Sequence, residues 1–80
     1  MVKVAAKLKI KSTIPIYRAE RGITQQELAD VVGVTRATIM SIEKGNYNPS
    51  LELCFRIALF FEKNIEEIFY VENLMENKYE

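Results

Sequence analysis

The residues of this chain best suited to chemistry lie along one stretch: Arg36, Ala37, Met40, Ser41 and Lys44. If that stretch is helical, they share the face opposite Ile39 and Ile42, whose spacing of three marks a buried side. A mostly polar or small face with a guanidinium at one end and an ammonium at the other can lie in the major groove of a nucleic-acid duplex. Other chemistries lack their parts. The chain has one cysteine, Cys54, and no histidine, so neither an intramolecular disulfide nor a zinc ligand set can be assembled. The commonest general base is therefore missing, and no nucleophile–base pair, phosphate loop or metal cluster replaces it. Catalysis, a metal and a cofactor are all unexpected, and Cys54 reads as a core residue.

Such a face has to be positioned by its neighbours, and the sequence marks their boundaries. Thr24 followed three residues later by Glu27 is a capping box, opening a helix that should run to Val32. Gly33 then serves as a left-handed turn residue, Thr35 caps a helix over residues 36–44, and Gly45 closes it. Ala29 is small enough to let two helices meet steeply across a short turn. Residues 24–44 thus read as a helix-turn-helix. Upstream, Ser12 or Thr13 can cap a helix from Ile14 to Arg21, with Pro15 tolerated in its opening turn and Gly22 ending it. Downstream, turn formers from Asn46 to Pro49 lead to Ser50, a cap for a fourth helix from Leu51 to Glu62. Asn64 with Glu67 boxes a short fifth. The expected core is Ile14, Tyr17, Ile23, Leu28, Ile39, Ile42, Leu53, Ile57, Ala58, Phe61, Ile65 and Phe69.

Between Val2 and Lys11 apolar residues and lysines largely alternate, the period of a half-buried strand. One strand leaves its ladder unsatisfied, so Ile68 to Val71 is expected to pair with it in a two-stranded antiparallel sheet. The polar tail from Asn73 to Glu80 is expected to fray. Eighty residues allow one domain, and a composition of 49% hydrophobic and 28% charged residues is that of a folded one. No apolar run approaches the roughly 20 residues that span a bilayer, and lysines interrupt the N-terminal apolar stretch, so a cytoplasmic location without membrane contact is expected. The net charge of zero conceals an asymmetry. Lys3, Lys7, Lys9, Lys11, Arg18, Arg21, Arg36 and Lys44 face only Glu20, Glu27, Asp30 and Glu43 in the first 48 residues, whereas the remainder has three bases and seven acids. This division can orient a domain on a polyanion, and it is equally compatible with ordinary solvated charges.

The segment Tyr17 to Ala29, followed by Gly33-Val34-Thr35-Arg36, Ile42-Glu43-Lys44-Gly45 and Asn48-Pro49-Ser50-Leu51, resembles the Cro/C1-type, xenobiotic-response-element-like regulators. The likeness extends over about Ile14 to Phe69, and its force lies in the combination, since each motif alone is weak. It implies a mainly α, five-helix lambda-repressor-like DNA-binding domain. In that family Thr35, Arg36, Ala37 and Ser41 fall where bases are read, and the Arg36 guanidinium could bond O6 and N7 of guanine together. Gln25 falls at a phosphate-contacting helix N-terminus. Thr38, Lys44, Asn46 and Tyr47 are placed to clamp the DNA backbone, with Tyr47 alternatively packing on the core. Arg18 and Glu43 fall at positions that pair as a partly buried salt bridge.

The lysine-bearing strand lies outside the minimal family domain, and Pro15 is unusual within its first helix. Small relatives with added terminal strands form a sheet beside a dimer interface. The resemblance therefore implies a homodimer with recognition helices about 34 Å apart on a palindromic operator, acting as a repressor. The alternative is an antitoxin-like or adaptor module whose acidic C-terminal half binds a protein, with Met40, Phe60, Phe61, Phe69 and Tyr70 as its surface. Any small-molecule or protein effector is unspecified.

Overall fold

Five helices follow one another where the capping signals put them: α1 (Ile14–Arg21), α2 (Gln25–Val32), α3 (Arg36–Lys44), α4 (Leu51–Phe61) and α5 (Ile65–Ile68). The computed structural model describes residues 3–4, 7–72 and 75–76. At the start of α2 the Thr24 hydroxyl accepts from the Glu27 N–H at 3.0 Å, and the Glu27 carboxylate accepts from the Thr24 N–H at 2.9 Å. Two of the orphan donors of the first turn are thereby satisfied. Ser50 caps α4 by accepting from the Leu53 N–H at 3.1 Å, and Glu67 accepts from the Asn64 N–H at 3.0 Å to open α5. Helix α4 ends one residue earlier than expected. Glu62 adopts a left-handed conformation at φ 57°, and the Lys63 N–H turns back to the Ala58 carbonyl at 3.0 Å, which satisfies a carbonyl the helix would otherwise leave open.

The core is contributed by all five helices. Ile14, Leu28, Ala29, Ile39, Ile57 and Ile68 are wholly buried, with Val32, Ile42, Leu53, Ala58 and Phe61 nearly so. Tyr17, Ile23, Ile65 and Phe69, expected inside, pack against this cluster from its margin and remain partly exposed. Ile68 is buried as the last residue of α5 and not as the first of a strand. Cys54 is only half-buried, where it lines a small apolar groove with Pro49, Ile65 and Phe69. Desolvation there pushes its thiol pKa up.

The terminal segments depart further from expectation. The anticipated single N-terminal strand is two short ones, β1 (Lys3–Val4) and β2 (Ile10–Ser12), separated by a bend at Lys7. Strand β2 pairs antiparallel with β3 (Phe69–Val71), Ile10 opposite Val71 and Ser12 opposite Phe69, which supplies the expected small sheet. Strand β1 pairs instead with β4 (Met75–Glu76), inside the tail expected to fray. Residues 1–2 and 5–6 of the expected strand, and 73–74 and 77–80 of the tail, lie outside the described residues. Since Ser12 belongs to β2, the helix cap falls to Thr13, whose hydroxyl does not cap either. It donates to the Glu67 carbonyl at 2.7 Å, while the Thr13 N–H donates to the Ile68 carbonyl at 2.7 Å. The reason is local: Pro15 has no N–H to offer, and the Ile16 N–H is taken by the Thr13 carbonyl at 3.0 Å. Thr13 therefore stitches the start of α1 to the end of α5.

Candidate nucleic-acid interface

Helices α2 and α3 meet across a turn that two features make possible. Ala29 is fully buried at the contact, so no bulky side chain holds the helices apart. Gly33 stands at φ +78°, and its N–H and that of Val34 both reach the Ala29 carbonyl, at 2.9 and 3.0 Å. Helix α3 then begins at Thr35, whose hydroxyl accepts from the Thr38 N–H at 3.3 Å. At about 100° per residue, Arg36, Ala37, Met40, Ser41 and Lys44 fall within an arc of about 140°, opposite the buried Ile39 and Ile42. The arc is not uniformly open. Thr35, Arg36, Ala37 and Lys44 are exposed, while Met40, expected to be exposed, and Ser41 are half-buried. Among the described residues Arg36 has no ion-pair or hydrogen-bond partner, so its guanidinium is available to a ligand.

The far end of α3 is held by a polar clamp. Arg18 of α1 donates through Nε to Glu43 Oε2 at 2.7 Å and through Nη2 to Oε1 at 3.2 Å, while its Nη1 donates to the Ile23 carbonyl at 3.1 Å. Gln25, first residue of α2, donates through Nε2 to Glu43 Oε1 at 2.8 Å. Glu43 thereby accepts three bonds and joins α1, α2 and α3 at one point. The geometry to Arg18 is two-pronged, which fixes direction as well as distance. For Gln25 the consequence is restraint: one amide N–H is spoken for, leaving the second N–H and the carbonyl oxygen for any phosphate contact.

The remaining positions singled out in the sequence lie at two places. Thr38 is half-buried, its hydroxyl 3.1 Å from that of Thr35, so the two hydroxyls engage each other at the start of α3. Asn46 and Tyr47 are exposed in the loop after Gly45, with the Asn46 N–H closing the helix on the Ser41 carbonyl at 2.9 Å. Tyr47 is 46% exposed and so is not a core ring.

Two residues that position this surface were not among the site residues singled out in the sequence. Arg56 of α4 donates through Nη1 to the Val32 carbonyl at 3.1 Å, capping the end of α2 with positive charge, and its guanidinium also meets Glu52 one turn earlier. The Lys11 side chain lies over Gly45: a Cβ there would fall 3.2 Å from its Nζ. Strand β2 thereby abuts the end of α3. The Glu52–Arg56 spacing was visible in the sequence, but the reach to Val32 depends on how α4 crosses α2. Among the described residues no cluster of potential metal ligands occurs, and no helix is long and apolar enough to cross a membrane. Of the aromatic set considered for a protein-binding surface, Phe61 is core, Phe60 and Phe69 are half-buried and Tyr70 is exposed.

Comparison with known proteins agrees with this geometry. A family model described as helix-turn-helix matches residues 16–68. An uncharacterized HTH-type transcriptional regulator of Methanocaldococcus jannaschii is 50% identical over 64 residues, covering 80% of this chain and 97% of that protein. The cryptic phage CTXphi transcriptional repressor RstR of Vibrio cholerae is 37% identical over 57 residues, covering 71% of this chain and 51% of the repressor. Among solved structures, the restriction-modification controller protein C.AhdI of Aeromonas hydrophila superposes with a TM-score of 0.62 at 26% identity, over 68% of this chain and 78% of that one.

Proposed function

The chain belongs to the Cro/C1-type helix-turn-helix family, and from that premise we propose that it is a DNA-binding repressor of transcription. In this reading α3 enters the major groove as one half of a homodimer on a palindromic operator. The observation that carries it is the outward arc of α3, exposed at Arg36, Ala37 and Lys44, with Arg36 unpartnered among the described residues and Ile39 and Ile42 anchoring the opposite side. Arg36 reads guanine, Thr35 and Ala37 offer methyl groups to thymine, and Ser41 contacts bases one turn further on. Gln25, Thr38, Lys44, Asn46 and Tyr47 hold the phosphates that flank the groove. The relatives named as transcriptional regulators and as a repressor support the regulatory role.

The dimer has support of its own. Leu51, Phe55 and Leu59 follow one another at intervals of four on α4 and are 68%, 50% and 75% exposed. They lie opposite Leu53, Ile57 and Phe61, so the core cannot cover them. Two such rows interlock readily, crossing at about −50°. The same row is the feature that favours the adaptor reading, in which a different protein covers it.

A salt titration of binding to genomic DNA fragments tests the proposal. Enrichment of one palindromic site, with affinity falling as salt rises, is the expected result. Binding that is undetectable at low salt would refute it. Sedimentation at micromolar concentration should give the mass of two chains, and a monomer without DNA would leave the apolar row to another partner.

A further inference from the structure

Beyond Lys44 the surface does not end with α3. Residues 7–9, just ahead of β2, run beside the loop that follows the helix, and Lys7, Leu8 and Lys9 line one side of an open groove of about 590 Å³. Gly45, Asn46 and Asn48 line the other. None of these six residues is acidic. They combine two ammonium groups, which only donate, with two carboxamides, a donor-rich set suited to phosphate oxygens. The segment is anchored at Lys9, whose carbonyl accepts from the Glu72 N–H at 2.8 Å, and the adjoining β2 is held against Gly45 by the Lys11 stem. It is also extraneous to the family fold, because the matched region begins only at residue 16.

Position gives the groove a meaning. Helix α3 has nine residues and is about 13 Å long, close to the roughly 12 Å width of the major groove. When its first turn meets base edges, its far end and the following loop emerge at a phosphate wall. We propose that Lys7 and Lys9, with Asn46 and Asn48, form a second phosphate-binding surface that follows the DNA backbone past the end of the recognition helix. This rests on the DNA-binding reading above and adds a contact that the helix-turn-helix alone does not make.

The test is the salt dependence of DNA binding by the full chain carrying Lys7→Gln and Lys9→Gln together. Each lost phosphate contact lowers the slope of log affinity against log salt by about 0.9, so the double variant, which removes two ammonium groups from each chain of the dimer, should lose about 3.6 units of slope. Between 50 and 200 mM salt its affinity should then fall about 150-fold less than that of the parent. The loss should be equal on a preferred site and on random duplex, leaving their ratio unchanged. Lys63→Gln is the control: its ammonium lies 5.4 Å from the Tyr17 ring centroid, and the parental slope should persist. A double variant with the parental slope and affinity would overturn the proposal while leaving the DNA-binding reading intact. Weaker binding at the parental slope, accompanied by a smaller sedimenting mass, would overturn it too, by assigning the segment to subunit contact. If the parent itself shows no salt-dependent binding, both readings fall.

Discussion

Glu43→Ala removes the acceptor on which three helices converge, and its cost can be worked out in advance. The Glu43 side chain is 9% exposed and accepts two bonds from Arg18 and one from Gln25. Alanine is the best helix former, so α3 itself suffers no propensity penalty. What remains is a stranded guanidinium: Arg18 keeps its bond to the Ile23 carbonyl but loses both to the carboxylate. Breaking a fully buried pair costs about 3–5 kcal/mol. Arg18 is 19% exposed, and the water that reaches it reduces the figure to about 2–3 kcal/mol. A domain of this length has a total stability of about 4–12 kcal/mol, so the melting temperature should drop by about 10–20 °C. Thermal and urea unfolding followed by far-ultraviolet circular dichroism measure this. Glu52→Ala, which breaks the exposed pair with Arg56, should cost about 0.5 kcal/mol or less. The double variant Arg18→Met with Glu43→Ala should be more stable than Glu43→Ala alone, since no charge is then stranded. A Glu43→Ala protein within about 0.5 kcal/mol of the parent, or a double variant whose losses simply add, would show that Glu43 does not hold α1, α2 and α3 together through Arg18.

Three further outcomes follow from the same geometry. Gly33→Ala should cost about 1–2 kcal/mol through its left-handed backbone alone, because an added Cβ would stand 3.6 Å from Arg56 Nη1, an ordinary contact; an unchanged urea midpoint would contradict this. Arg56→Met keeps the aliphatic packing but uncaps the Val32 carbonyl, so unfolding should become easier by about 1 kcal/mol, and equal stability would remove Arg56 as a positioning residue. Burial pushes the Cys54 thiol above its usual range, so labelling by a thiol reagent at pH 8 should be slower in the folded than in the unfolded chain, and stability should decline as pH rises through the ordinary thiol range because the unfolded chain releases its proton first. Equal labelling rates would show that the site is open.

The helical framework was legible because each boundary has a local cause. Thr24 with Glu27, Thr35, Ser50 and Gly45 act within one or two turns of chain, and their effects do not depend on what lies across the core. The terminal strands were less legible for the complementary reason. Apolar alternation from Val2 to Ile10 proposes a continuous strand, but pairing requires a partner of matching length, and β3 offers only Phe69–Val71, while β1 pairs in a separate sheet with β4. Thr13 shows how tertiary structure redirects a local signal. Pro15 deprives its hydroxyl of a donor, and the orphan carbonyls at the end of α5 claim it instead. In the candidate interface the surface residues of α3 followed from periodicity, whereas the Gln25–Glu43 and Arg56–Val32 bonds join residues 18 and 24 positions apart. No pattern of spacing announces them.

Site selection from random duplex by the parent, Arg36→Ala and Gln25→Ala shows whether α3 reads DNA through the face that begins at Arg36. Arg36→Ala should relax the preference at one or two base pairs per half-site, at a cost of about 1–3 kcal/mol on the selected sequence, while Gln25→Ala weakens every sequence alike. An Arg36→Ala protein that selects the same sites with the same stringency would mean that α3 does not read bases through Arg36.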